Sequence, residues 1–210
     1  MQDEIIRSML SFEDMQRGQP TRSSPEWQRK LRGGSKAVQR PQNERPWCIF
    51  TAGCMGSGKT HVMCTLDAHG LLPLPRFVRV DIDRIRMLLP ELDGYVRHDR
   101  MTAGEMTQKE AGAIAEIATE EALMRGYNVW VDSTMKNEEW WSEEIGRIQK
   151  TFPHRTCILH VTARWPAVQQ REARRGEVTG RRIPPRILED VFRCRMTYAQ
   201  ACMHASLKNP

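Results

Sequence analysis

The stretch WCIFTAGCMGSGKTHVMCTLDAHG, residues 47–70, decides the fold. WCIFTAG is a short apolar run closing on a glycine, and SGKTHVMCTLDAHG has helical character with a glycine stop. Between them Gly53-Cys54-Met55-Gly56-Ser57-Gly58-Lys59-Thr60 matches G-x-x-x-x-G-K-[ST] in full, in the strand, loop, helix setting that gives the pattern its meaning. The chemistry accounts for the residue types. Phosphate oxygens need backbone N–H donors at close range, so glycines at 53, 56 and 58 let the chain wrap tightly without side-chain collision. Lys59 offers a mobile positive charge to the terminal phosphates of ATP, Thr60 a hydroxyl to Mg2+, and the helix start its partial positive end. A glycine-rich turn that merely contains Lys-Thr is the competing reading, and the flanking elements weigh against it. The motif by itself implies a bound nucleoside triphosphate; motors, GTPases and kinases all share it.

Working outward, the same alternation continues. FVRVD (77–81) reads as a second strand and 105–125 as a helix with Ile114, Ile117, Ala118 and Ala122 on one face, stopped by Gly126. NVWVD (128–132) is a third strand, 138–150 a helix, TCILHVT (156–162) a fourth strand, and 166–175 a helix opened by Pro166. Strands separated by helices imply an α/β, P-loop three-layer sandwich with a central parallel sheet, right-handed crossovers and helices on both faces. A last helix is expected over 186–204, with no further strand evident after it.

Residues 3–17 suit a short amphipathic helix through Ile5, Ile6, Met9 and Leu10, and 18–46 bring prolines, Gly33-Gly34 and polar residues without periodicity. The expected division is therefore an N-terminal helix and basic linker (1–46) followed by a kinase-like domain (47–205). The 210 residues are enough for one domain with its own core. No apolar run approaches the ~20 residues that cross a bilayer, and the start lacks the pattern of an export signal, so a cytoplasmic protein without a membrane partner is expected. Six scattered cysteines, with no C-x-x-C pair, read as reduced thiols.

The net charge of +6 is unevenly spread: residues 18–46 hold seven Arg/Lys against two Glu, and residues 164–186 hold seven Arg against two Glu. That pattern is a basic linker plus an arginine cluster rather than a uniformly basic face, which weighs against nucleic acid as the partner.

Three elements bear on chemistry beyond the loop. Asp81 and Asp83 close the second strand, at the sheet edge where ligands of parallel sheets collect. Asp83 is expected to be turning into the following helix as its cap, or to act as the base that takes a proton from a substrate hydroxyl. Asp132 ends the third strand, either as a plain polar terminus or as an acid that organises Mg2+. Arg171, Arg174 and Arg175 share a helix face at i, i+3 and i+4, and Arg181 and Arg182 follow. A solvated basic helix is the bland account. The absence of lysine favours an arginine-rich lid whose guanidinium groups fork onto phosphoryl oxygens.

The segments GCMGSGKT, VDIDRIRMLLPEL, EIATEEALMRGYNVWVDSTMKN and GRRIP, in this order and spacing, resemble the zeta toxin family of P-loop kinases over roughly residues 47–195. The resemblance implies an adenylate-kinase-like architecture and phosphorylation of the 3′-hydroxyl of the sugar in UDP-N-acetylglucosamine. Carried over by motif, Lys59 is the phosphate-loop lysine, Asp83 the base, and Glu116 and Thr134 substrate contacts. Arg171 or Arg175, with Arg181 or Arg182, match the lid arginines. Position 132 is aspartate where some bacterial members have glutamate. The expected activity is thus ATP- and Mg2+-dependent phosphotransfer to a small hydroxyl-bearing substrate. A polynucleotide or nucleoside acceptor, or a non-catalytic ATP-binding module, are the alternatives.

Overall fold

Four strands, β1 (Trp47–Ala52), β2 (Phe77–Asp81), β3 (Asn128–Asp132) and β4 (Arg155–His160), form an all-parallel sheet in the order β2-β3-β1-β4 in the computed structural model, which describes residues 45–194. Their connections contain α1 (Lys59–Ala68), a 3-10 turn (Leu74–Arg76), α2 (Ile82–Leu88), α3 (Leu92–His98), α4 (Ala103–Met106), α5 (Gln108–Met124) and α6 (Glu138–Thr151). Helix α7 (Trp165–Thr179) follows β4, and residues 185–194 are helical. The expected N-terminal helix over 3–17, all but the last two residues of the linker, and the far end of the helix expected over 186–204 lie outside the described residues.

Period-two alternation divides the sheet into two buried faces. Cys48, Phe50, Val78, Val80, Val129 and Val131 pack with Ile114 and Ala118 of α5 and Ile148 of α6. On the opposite face Ile49, Phe77 and Trp130 meet Met63 of α1 and Leu74. A third cluster joins Cys54 of the loop to Val168 of α7 and to Ile183, Leu188 and Val191. This last cluster seats α7 directly over the phosphate loop.

The strand register gathers polar groups at one edge. Thr51 and Asp81 both pair with Asp132, so the polar ends of three strands emerge together at the carboxyl edge of the sheet. Parallel pairing puts Asp81 and Asp132 side by side on the α1 face, a like-charge juxtaposition that is unfavourable unless a cation intervenes.

Several element bounds differ from the sequence reading. The helix expected over 105–125 is two helices broken at Thr107, whose buried hydroxyl donates to Ala103 O (2.8 Å) and accepts from Arg86 Nε (2.9 Å). Helix α3 has no counterpart in that reading, because LDGYVRH shows no sustained apolar period. Helix α7 runs four residues beyond the expected 175 and stops before Gly180, which takes the left-handed conformation that ends helices. Asp81, not Asp83, is the cap of α2: its Oδ1 accepts from the backbone N–H of Asp83 (2.9 Å) and Arg84 (3.3 Å). Asp83 is thereby released from capping, and its side chain faces elsewhere. Among the described residues no helix is long and apolar enough to cross a membrane.

Phe50 lies at the centre of the sheet, 1 % exposed, with its ring edge-on to Trp141 at 5.7 Å between centroids. Phe50→Ala is expected to lower the unfolding free energy by about 3–5 kcal/mol through lost burial and the cavity left behind. Urea unfolding followed by circular dichroism measures it.

Candidate active site

The loop from Gly53 to Thr60 leaves β1 and enters α1 with three of its residues at positive φ: Gly53 (142°), Gly56 (78°) and Gly58 (98°). At two of them space as well as conformation demands glycine. A Cβ on Gly53 would come 2.2 Å from Val161 O, and one on Gly56 would come 2.8 Å from Val168 O. The loop is therefore packed tightly against the chain leaving β4 and the first turn of α7. Lys59 Nζ donates to Gly53 O (2.9 Å) and Cys54 O (3.4 Å), and Arg171 Nη1 of α7 donates to Gly56 O (3.1 Å) and Ser57 O (3.3 Å). The hydroxyl of Ser57 is buried in the loop without a hydrogen-bond partner. An unsatisfied hydroxyl, glycines that clear the approach and two cations at the rim are the donor set a polyphosphate requires, so the loop fits a nucleoside triphosphate. Met55 lies at the loop's outer side and packs against the cluster that holds α7.

A cavity of about 1080 Å³ opens beside the loop. Lys59, Thr60, Asp83, Glu116, Asp132, Thr134, Arg171, Arg175 and Arg182 all line it with Met55, Gly56 and Gly58 of the loop, whereas Gly53, Cys54 and Ser57 do not. Glu116 enters from the exposed side of α5, and Thr134, from the segment after β3, is half-buried with its carbonyl facing Gly53 N at 3.5 Å. Trp140 and Trp141, edge-to-face at 4.6 Å, supply an aromatic wall at the far side.

Asp83 is the focus of the arginines. Its carboxylate pairs with Arg175 Nη1 (3.1 Å), with Arg181 Nη2 (3.0 Å) and with Arg86 Nη1. Arg181 rather than Arg182 makes the contact, because the chain turns at Gly180 and Arg182 instead folds beside Gly176. Burial alone would raise the Asp83 carboxyl, but Arg175, Arg181, Arg86 and Lys59 together hold it well below the usual carboxylate range. Arg86 is buried and fixed at both ends: it also donates to Thr107 Oγ1 (2.9 Å) and Gln108 Oε1 (2.6 Å), tying Asp83 to the start of α5. Arg175 Nε also meets Glu172 (3.2 Å), whose carboxyl burial pushes up despite Arg175. The i+3 spacing of Asp83 and Arg86 is the available sequence signal for this clamp; the arrival of Arg175 and Arg181 from the far end of the chain has none.

A second polar cluster lies beneath the loop. Arg79 Nη2 lies 2.9 Å from Asp81 Oδ2 and 2.8 Å from Asp132 Oδ2, and donates to Thr60 Oγ1 at 3.0 Å. Its guanidinium stacks over Trp130, 4.4 Å from the ring centroid. Trp130 Nε1 donates to Thr51 Oγ1 (3.1 Å), which donates to Asp132 Oδ1 (3.1 Å), so the network is continuous from the core to the phosphate loop. Desolvation of Arg79 is outweighed by Asp81 and Asp132, which keep it charged. Burial raises the Asp81 carboxyl, against the pull of Arg79. Thr60 and Asp132, the residues expected to serve Mg2+, both accept from Arg79 instead. Both oxygens are engaged by the guanidinium in this arrangement, so a Mg2+ ion at Thr60 would have to displace it. The sequence hint is a lone arginine inside the apolar strand FVRVD.

Comparison with known proteins gives three findings. The family model described as Zeta toxin matches residues 33–206. No curated protein matches the chain. Among solved structures, a chain from the molecular and structural characterization of the PezAT chromosomal toxin–antitoxin system of Streptococcus pneumoniae is similar, with a TM-score of 0.56 and 16% identity. The alignment covers 66% of this chain and 56% of that one, so this chain spans little more than half the length of its neighbour, and at that identity the likeness is one of fold.

The Asp83 clamp has a pH signature. A carboxyl depressed in the folded state contributes stability that is complete above its unfolded value, about 3.9, and is lost as pH falls through the lower folded value. Asp83→Asn is expected to be less stable than the unaltered protein at neutral pH, with the two urea midpoints converging below about pH 4. A gap that stays constant from neutral to acid pH would contradict the charge-based account.

Proposed function

The chain belongs to the zeta toxin family, and from that membership and the geometry of the cavity we propose that it transfers the terminal phosphate of ATP to a hydroxyl of a small acceptor, a sugar nucleotide of the UDP-N-acetylglucosamine kind being the first candidate. One observation carries the reading: the phosphate loop with Lys59 and the strand-end carboxylate of Asp83 line a single cavity.

The loop amides and Lys59 hold the donor phosphates. The acceptor hydroxyl gives its proton to Asp83 as its oxygen bonds to the terminal phosphorus; the bond from that phosphorus to the bridging oxygen breaks, and ADP leaves with the electron pair. Arg171, Arg175 and Arg181 stand where charge develops on the transferred group. Glu116 and Thr134 contact the acceptor, and the edge-to-face Trp140–Trp141 pair gives an aromatic wall against which a base or sugar ring packs. Each of these steps is carried by the chain's own groups, Thr60 and Asp132 being engaged by Arg79.

The clamp on Asp83 gives the mechanism an order. A carboxylate paired with three guanidinium groups is a weak proton acceptor, because each pairing stabilises its charged form. Phosphoryl oxygens compete for the same arginines, and forked contacts to phosphate are at least as favourable as those to carboxylate. As Arg175 and Arg181 turn to the phosphates, Asp83 regains its affinity for a proton. Arg86, buried and bonded on three sides, stays and keeps the carboxylate aimed.

Incubation with ATP and a panel of sugar nucleotides, nucleosides and 5′-hydroxyl oligonucleotides, followed by ADP release, tests the assignment. Transfer to a sugar nucleotide is expected. Asp83→Asn is expected to lower turnover by about 10²-fold or more, the usual range for loss of a general base, while ATP binding persists. Lys59→Met is expected to weaken ATP binding itself. Turnover unchanged in Asp83→Asn would remove the base from this scheme.

A further inference from the structure

The face of the sheet beneath the phosphate loop is apolar except at its upper edge, where Arg79 replaces the aliphatic residue that the alternation of FVRVD would otherwise bring to α1. The side chains of Arg79, Asp81 and Asp132 are 11%, 11% and 10% exposed. Placing a guanidinium there carries a large desolvation cost, so what it does must compensate. It bridges two carboxylates that the strand register forces together, and the same nitrogen reaches the hydroxyl of Thr60. That hydroxyl and a strand-end acid are the groups between which a phosphate loop ordinarily seats its divalent cation.

We propose that Arg79 stands in for that cation, so that the chain binds the bare nucleoside triphosphate rather than its metal complex. One guanidinium offsets one of the two carboxylate charges, so Arg79 takes the place of the cation without matching the charge of a divalent ion. A divalent ion at the Thr60 hydroxyl would have to displace the guanidinium. Arg79 has no easy exit, because its plane lies over Trp130 and its carboxylate partners flank it. Its charge is fixed to the fold and is always present at physiological pH. Arg79 acts on the nucleotide through Thr60 and through the field beneath the loop, which makes it a positioning residue. The inference rests on the reading of the loop as a nucleotide site and specifies the form of nucleotide that site accepts.

The test is equilibrium binding of a ribose-labelled fluorescent ATP to the full chain, in excess Mg2+ and in excess EDTA, for the unaltered protein and for Arg79→Met. Unaltered protein is expected to keep its affinity within about threefold between the two conditions, a difference well under 1.4 kcal/mol. Loss of tenfold or more in EDTA overturns the proposal. Arg79→Met, which opens the space between Thr60, Asp81 and Asp132, is expected to become metal-dependent and to take up Mn2+ without nucleotide, seen as loss of the free-ion signal in electron paramagnetic resonance. That uptake should disappear when Asp132→Asn is added. A folded Arg79→Met chain without Mn2+ uptake, or an unaltered chain that takes up Mn2+ on its own, counts against the assignment of Arg79. If Arg79→Met does not fold, the EDTA comparison on the unaltered chain decides. Failure to bind the nucleotide in either condition sinks the phosphotransferase reading, and the Mn2+ measurements then judge Arg79 separately.

Discussion

Two carboxylates at the ends of neighbouring parallel strands, and the one guanidinium between them, constrain the rest of the site. The pairing of Asp81 with Asp132 is set by the β2–β3 register, so it cannot be relieved without sliding β2 against β3. Arg79 resolves the repulsion from within the sheet. Because Asp81 is held there, it caps α2, and because α2 begins there, Asp83 is carried over the sheet edge toward the loop. Local electrostatics at the strand ends thus sets the direction of a side chain two residues further on. The stability of this arrangement and its chemistry are not separable: weakening the Arg79 pair would loosen the cap that aims Asp83.

The second arginine system has a different character. Arg79 and Arg86 are buried, whereas Arg175 is about a third exposed and reaches in from α7, across the cavity mouth. The first kind is enclosed by the fold and the second lies at the cavity wall. Asp83 sits where the two kinds meet. Its carboxylate remains 38% exposed, so the pairings that lower its proton affinity are made at the cavity wall, where an incoming anion competes for them, rather than in a sealed interior.

How much of this the sequence discloses depends on the range of the interaction concerned. The phosphate loop is legible because its chemistry is local: GCMGSGKT carries its own turn, its own lysine and its own helix start within eight residues. The parallel α/β architecture is legible for a related reason, since each strand and helix announces itself by its own apolar period. The cap falls to Asp81 and not to Asp83, and DID hides this because it places two good capping residues around the helix start; the choice between them turns on backbone geometry that composition does not encode. The choice between Arg181 and Arg182 is harder still. It is made by a turn at Gly180 that delivers Arg181 to a partner 98 positions away. Arg79 escapes notice for the opposite reason: it stands in a strand that reads well as a strand, and its meaning depends on which strand lies alongside.

Helix α7 fastens Arg171 to the carbonyls of the phosphate loop and Arg175, one turn on, to Asp83. The two contacts share a rigid rod whose buried side is pinned by Val168. In the proposed scheme the helix joins the two contacts, and by reciprocity the grip of the loop on its anion and the basicity of Asp83 become linked quantities. In the proposed scheme a carboxylate masked between turnovers neither deprotonates stray alcohols nor activates solvent, and the bound donor is spared wasteful hydrolysis.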